Sequence, residues 1–260
     1  MVPASGRALR GWERTHAFDD EKGREMKIKT RLLGIALCGL GVSACGGDGT
    51  DTSTVEGTVS TQASRVVGAT VEVYGTQIST TTNRNGEFTL QNVPHGDVFF
   101  VIEANGNWGT VDYYYVPEET SGTVINLTVV PDGEIGALAS SLGRSLSESD
   151  GIVDVSFFPF ALGVPGAQGG ETASISAASD PPFTFDLDGN PVEQAGLIAD
   201  GEGFGELIYT SVMTADGPIT ADVLGVGGVT VCDVAETPGI TYPIVEKAIT
   251  FVYAGCEPAP

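Results

Sequence analysis

From Val55 onward the chain is written in short runs whose apolar residues alternate with polar ones. In Ala69-Thr70-Val71-Glu72-Val73-Tyr74, Val71 and Val73 fall on one side and Glu72 on the other. A period of two gives a single buried face only to an extended strand. Further runs of this kind occupy Gln77 to Thr82, Glu87 to Leu90, Asp97 to Ala104, Gly109 to Val116 and Gly122 to Val130. Clusters of Asn, Gly, Pro and Glu between them supply turns, and Asn85-Gly86 predicts a hairpin turn between two runs. About seven strands in roughly 75 residues predict a β-sandwich. Composition agrees: 36 Gly and 14 Pro in 260 residues are far from a helix-rich usage. The length suits two small domains.

Thr82-Asn83-Arg84-Asn85-Gly86-Glu87-Phe88-Thr89-Leu90-Gln91-Asn92-Val93-Pro94-His95-Gly96, preceded by Gly57 and by Gly68-Ala69-Thr70-Val71-Glu72-Val73, resembles a carboxypeptidase regulatory-like domain. The resemblance spans residues 55–130 and departs from the family pattern at Asn83, where Asp is frequent. It implies a seven-stranded Greek-key sandwich of transthyretin-like type, used as a non-catalytic accessory module in bacterial surface proteins. The motif residues are turn and core positions, so the resemblance implies no ligand.

After Pro131-Asp132-Gly133, residues 134–260 also read as antiparallel β. Strand-like runs lie at Ile152 to Phe160, Thr172 to Ala177, Phe204 to Met213, Ile219 to Leu224, Val229 to Val234 and Lys247 to Tyr253. Gly205-Glu206-Leu207-Ile208-Tyr209-Thr210-Ser211-Val212 echoes Gly86-Glu87-Phe88-Thr89-Leu90-Gln91-Asn92-Val93. The expectation is a second, divergent β-sandwich, with Ala178 to Ala199 as a long insertion relative to the first.

The N-terminal region reads differently. Met26 to Cys45 has a basic start (Lys27, Lys29, Arg31), an apolar stretch from Leu32 to Val42 and small residues before a cysteine, the layout of a secretory signal. About eleven apolar residues are too few to span a bilayer as a helix. Val42-Ser43-Ala44-Cys45 resembles the bacterial lipobox, which implies cleavage before Cys45, lipidation of Cys45 and anchoring to a membrane, with the outer membrane the expected location. Several acyl chains on one residue anchor stably where one chain does not. Residues 1–25 are then an extension ahead of the true start, 26–44 the signal peptide and 45–54 a flexible tether.

Five of the 34 acids and eight of the 12 bases precede Cys45, leaving 29 acids against Arg65, Arg84, Arg144 and Lys247. Such a surface repels phosphate backbones, which excludes nucleic acid as a partner.

Catalytic chemistry is scarce. The chain has two histidines, His16 and His95, and only His95 follows Cys45, in a turn; a serine triad needs a base and a zinc site needs several ligands. Cys232 and Cys256, the cysteines left after the signal and the lipidation site, are expected to form a disulfide in an exported chain. Asp186-Leu187-Asp188-Gly189-Asn190 lacks the later glutamate of a calcium loop and reads as a turn. Gly201-Glu202-Gly203-Phe204-Gly205 and Gly225-Val226-Gly227-Gly228 read as bends rather than phosphate cradles. Trp108, Tyr113, Tyr114 and Tyr115 form the densest aromatic group and the candidate ligand platform, with Tyr114 facing opposite to Tyr113 and Tyr115. No catalytic residue, metal site or cofactor is expected. The sequence points to a lipid-anchored module for binding, adhesion or envelope structure, with a carbohydrate or an envelope protein as partner. The alternatives are a dedicated carbohydrate-binding module and a carboxylate-dependent hydrolase such as a glycosidase, which needs two converging acids.

Overall fold

The computed structural model describes residues 52–118, 123–160, 165–199, 203–234 and 239–260. Cys45 and the signal, extension and most of the tether read from the sequence lie outside these residues. The first half contains β1 (Thr52–Ser60), β2 (Thr70–Val73), β3 (Ser79–Thr81), β4 (Glu87–Pro94), β5 (Gly96–Glu103), β6 (Asn107–Val116), β7 (Thr123–Thr128) and the short β8 (Val130–Pro131). Each predicted run is a strand. β1 begins three residues before Val55, because Thr52 and Ser53 pair with Pro94 and Val93.

One sheet has the order β4-β1-β7, with β1 antiparallel to β4 and parallel to β7. It packs on the run β6-β5-β2-β3 of a longer sheet. The period-two pattern now has its reason: Val55, Val59, Phe88, Leu90, Ile125 and Leu127 from one sheet meet Val71, Val73, Val98, Phe100 and Ile102 from the other in a single core. The Asn85-Gly86 turn is present, with Gly86 at φ 74° and its amide donating to the Asn83 carbonyl at 2.9 Å. It does not close a hairpin, however. β3 pairs with β2 and β4 with β1, so the turn carries the chain from one sheet to the other.

The second half contains α1 (Asp132–Ser141), β9 (Asp150–Pro159), β10 (Thr172–Ile175), β11 (Phe183–Phe185), β12 (Pro191–Glu193), β13 (Gly205–Met213), a 3-10 turn (Thr214–Asp216), β14 (Ala221–Leu224), β15 (Thr230–Val234) and β16 (Ala248–Pro258). Three of its strands repeat an arrangement seen in the first. β9 is antiparallel to β13 and parallel to β16, as β1 is to β4 and β7. The sequence echo between Gly86–Val93 and Gly205–Val212 extends to an irregularity. Leu90 pairs with Val55 and Val93 with Ser53, so β4 carries one extra residue; Tyr209 pairs with Val153 and Val212 with Gly151, so β13 does too. The bulges put Asn92 at φ 60° and Ser211 at φ 54°, at matching places in the two segments.

The two sandwiches share a sheet. β16 pairs in parallel with β6, Ala248 to Thr250 against Gly109 to Val111, giving the order β12-β11-β13-β9-β16-β6-β5-β2-β3. The alternation along β5 and β6 shows which side each core takes. Phe100 and Ile102 enter the first core, whereas Val101 and Val111 pack with Ala248 on the opposite face. That opposite face carries the second core, including Val153, Val155, Phe157, Val252 and Ala254, beneath the β10-β14 pair. A third cluster of Trp108, Ile135, Leu138, Phe183, Ile249 and Phe251 fills the face of the first core beyond its edge.

Three elements were illegible in the sequence. α1 holds Gly133 and Gly136, has no side-chain N-cap and buries only Ile135, Leu138 and Ala139, so it shows little helical period. β11 and β12 lie within the expected insertion at Ala178 to Ala199 and extend the sheet edge as a hairpin of two three-residue strands. Arg144 clamps that hairpin, donating to Thr210 Oγ1 at 2.8 Å, the Pro181 carbonyl at 2.8 Å and Glu193 at 2.6 Å.

Cys232 and Cys256 face each other across β15 and β16 and are joined as a disulfide. Closing a loop of 24 residues contributes about 3 kcal/mol in the chain-entropy account.

Buried phenols give the fold an alkaline limit. Burial pushes Tyr209 up to about 12. Burial first, and then the Asp112 carboxylate, raise Tyr114 and Tyr253 above the usual phenol range. The folded state thus holds protons that the unfolded chain releases above about pH 10. The stabilisation is complete below that pH and is lost as pH climbs through the folded values. Unfolding followed by circular dichroism should therefore coincide with a late rise in phenolate absorbance; separate transitions would contradict this linkage.

Candidate functional site

The β5–β6 hairpin presents a second face away from the first core. Val98 and Phe100 point inward, so Asp97 and Phe99 point out. Phe99 pairs with Tyr113 and Asp97 with Tyr115 across the antiparallel ladder, where directly opposite side chains lie within contact reach. The Phe99 and Tyr113 ring centroids are 5.7 Å apart with the planes at 63°. The Tyr113 hydroxyl donates to Asp97 Oδ1 at 2.6 Å, which holds ring and carboxylate together. On the other flank the Tyr74 amide donates to the Phe99 carbonyl at 2.9 Å, extending the row past the end of β2. Tyr74 is 42% and Tyr115 61% exposed. Buried Tyr242, from the second sandwich, meets Phe99 edge to face at 5.7 Å and walls one side of the strip.

Only two of the four aromatic residues singled out from the sequence belong to this strip. Trp108 is 5% exposed and packs with the α1 residues Ile135 and Leu138. Tyr114 faces opposite to its neighbours, as the strand period requires, and packs against the first core. Its ring lies 5.7 Å from Phe100, and its hydroxyl donates to the Asn126 carbonyl at 3.2 Å. Both are corrected from platform to packing residues. Tyr74 and Phe99 were overlooked. The signal for Phe99 is present in Val98-Phe99-Phe100, where apolar residues on both parities of one strand demand a partner for each face.

The remaining candidates are structural in form. Ser53 Oγ lies 2.8 Å from His95 Nε2, but His95 Nδ1 is buried without a partner, so the carboxylate that orients the base of a triad is not in place. Asp186 Oδ1 accepts the amides of Asp188 at 3.0 Å and Asn190 at 2.8 Å, forming the turn between β11 and β12. These bonds hold its carboxyl below the usual range. Gly225 and Gly228 sit in the bend between β14 and β15, while Gly201 and Glu202 lie outside the described residues. Among the described residues no group of three or more His, Cys, Asp or Glu is placed to hold a metal ion, and no helix is long and apolar enough to cross a membrane.

No protein-family model matches the chain. No curated protein matches it either. Among solved structures, the shaft pilin spaA from Lactobacillus rhamnosus GG (D295N mutant) is 12% identical, with 80% of this chain and 100% of that one covered and a TM-score of 0.24. A DUF3823 family protein from Bacteroides ovatus is 14% identical over 75% of this chain and 96% of that one, with a TM-score of 0.25. A chain of a type II cohesin-X-dockerin complex from Acetivibrio cellulolyticus is 18% identical over 37% of this chain and 76% of that one, also at 0.25. Likenesses at these TM-scores carry no weight for function.

Proposed function

We propose that the protein is a non-catalytic binding module of the bacterial cell envelope that contacts its ligand through Tyr74, Phe99, Tyr113 and Tyr115. The observation that carries this reading is that Tyr74 and Tyr115, on the sheet face turned away from the first core, stay 42% and 61% exposed beside the part-buried Phe99 and Tyr113. The first sandwich is read as a carboxypeptidase regulatory-like domain. Its motif residues serve turn and core: Gly86 makes the crossing turn, Phe88 and Val93 fill the core, and Gly57 makes room for Phe88. Cys45 is the proposed lipid anchor, and the outer membrane the proposed location. Mass spectrometry of the N-terminal peptide should find Cys45 acylated at the new terminus; an unmodified Cys45, or a peptide that still includes Gly41, refutes the anchor.

Binding is tested on a panel of polysaccharides and peptides. Any ligand retained by the protein should bind about tenfold more weakly to the Tyr74→Ala/Tyr115→Ala variant, since each ring contributes roughly 0.5 to 1.5 kcal/mol beyond its buried area. Unchanged affinity would remove the strip from the account. Turnover of a panel member, abolished by changing one Asp or Glu, would instead favour a carboxylate enzyme.

A further inference from the structure

The turn between β5 and β6 carries Asn105 and Gly106, both exposed. Its Asn107 amide donates to the Ala104 carbonyl at 3.2 Å, and Gly106 stands at φ 74°. Among the described residues the Gly106 amide and the Asn105 side-chain amide have no hydrogen-bond partner. We propose that Asn105 is a site of spontaneous covalent modification, deamidating to aspartyl and isoaspartyl residues through a cyclic imide. The Gly106 nitrogen gives its proton to hydroxide and attacks Asn105 Cγ. The new N–Cγ bond closes a five-membered ring as the Cγ–Nδ2 bond breaks, and the departing nitrogen takes a proton from water and leaves as ammonia. Water then opens the ring at either carbonyl, giving aspartate or an isoaspartate whose main chain runs through Cβ and Cγ. Glycine permits the attack because it has no side chain to block the approach and can rotate into it.

Asn85-Gly86 is the same dipeptide in a turn and serves as an internal control. There the Gly86 amide donates to the Asn83 carbonyl at 2.9 Å, and Asn85 Nδ2 donates to Glu87 Oε2 at 3.3 Å. The surroundings differ too. A Cβ at Gly106 would meet nothing within 4 Å, whereas one at Gly86 would lie 2.8 Å from Arg65 Cβ and 2.9 Å from the Val59 carbonyl oxygen. Ring closure at Asn85 must first break both hydrogen bonds, which slows it by roughly tenfold or more relative to Asn105.

The labile turn also holds the helix. The Gly106 carbonyl accepts the Asp132 amide at 3.1 Å at the start of α1, and Asn107 pairs with Pro131 of β8. An isoaspartyl residue lengthens the main chain just before these contacts, so modification loosens α1.

The folded protein is aged at mildly alkaline pH and digested, and the peptides holding Asn105 and Asn85 are followed by mass spectrometry after a separation that resolves isoaspartyl from aspartyl forms. Asn105 should be lost roughly ten times faster than Asn85 or more, and the two rates should converge in urea with the disulfide reduced. Asn105→Gln should abolish the modification at this position, since its longer side chain does not close the five-membered ring. An Asn105 that persists in the folded protein, equal rates at the two asparagines before unfolding, or a difference that survives in urea overturns the proposal. The isoaspartyl fraction should melt below the unaged protein; an identical melt refutes the coupling to α1.

Discussion

Glu171→Ala is expected to destabilise the protein by on the order of 3 kcal/mol, the summed effect of one buried and two part-buried donors left without their acceptor. Glu171 is 0% exposed, although it precedes a strand near the surface of the second sandwich. Its Oε1 accepts the Gln168 amide at 2.8 Å and the Thr230 hydroxyl at 2.9 Å, and its Oε2 accepts the Gly169 amide at 2.8 Å. Thr230 in turn accepts the Val226 amide at 2.9 Å, so one carboxylate fastens the segment before β10 to the start of β15. The backbone of Glu171 is held as well, its carbonyl accepting from Leu197 at 2.7 Å. Removing the side chain leaves two part-buried amides and one buried hydroxyl without their acceptor. Glu171→Gln should fall between, because its NH2 group meets an amide donor where the second oxygen stood. Urea denaturation measures both. A loss below about 1 kcal/mol for the alanine variant would mean that water or relaxation satisfies these donors.

Gly57→Val should be of similar size, on the order of 4 kcal/mol, through overpacking rather than loss. Gly57 lies in the middle of β1, paired with Phe88 on one side and Ile125 on the other. A Cβ there would overlap the Ile125 carbonyl oxygen and come within 2.7 Å of the Phe88 ring, itself 4% exposed in the core. The ring cannot leave without opening the first core, and the carbonyl cannot leave without breaking the parallel ladder to β7. A thermal melt within a few degrees of wild type would refute this packing role, since roughly 1 kcal/mol already shifts a domain of this size by several degrees.

These two residues mark what a single sequence can carry. Gly57 was legible as part of a family-like pattern, yet its reason, a ring from another strand, is a long-range contact that spacing does not reveal. The strands themselves were legible wherever one face is buried, because the period of two survives in the letters, as in β2 and β5. β11 and β12 are too short to show a period. α1 is stabilised by docking on Trp108 and its neighbours rather than by its own propensity. The sharing of one sheet by two sandwiches depends on three residue pairs between β6 and β16, which leave no pattern in either strand.

The candidate site was half legible for the same reason. Alternation alone separates Tyr114 from Tyr113 and Tyr115, but it does not tell which face the core occupies. Trp108 illustrates the point: it shares the parity of Tyr114, and the helix that covers it is the element whose sequence signal is weakest. Cys232 and Cys256, by contrast, were paired from their number and compartment, and the register of β15 against β16 supplies the geometry.

We propose that this protein binds an envelope component through the strip of Tyr74, Phe99, Tyr113 and Tyr115. The most direct test is an equilibrium binding isotherm on isolated cell envelopes, using a Cys45→Ser background so that no lipid contributes. The protein should bind saturably, and Tyr74→Ala/Tyr115→Ala should bind about tenfold more weakly with an unchanged melting curve. Superimposable isotherms for the two proteins would contradict the claim.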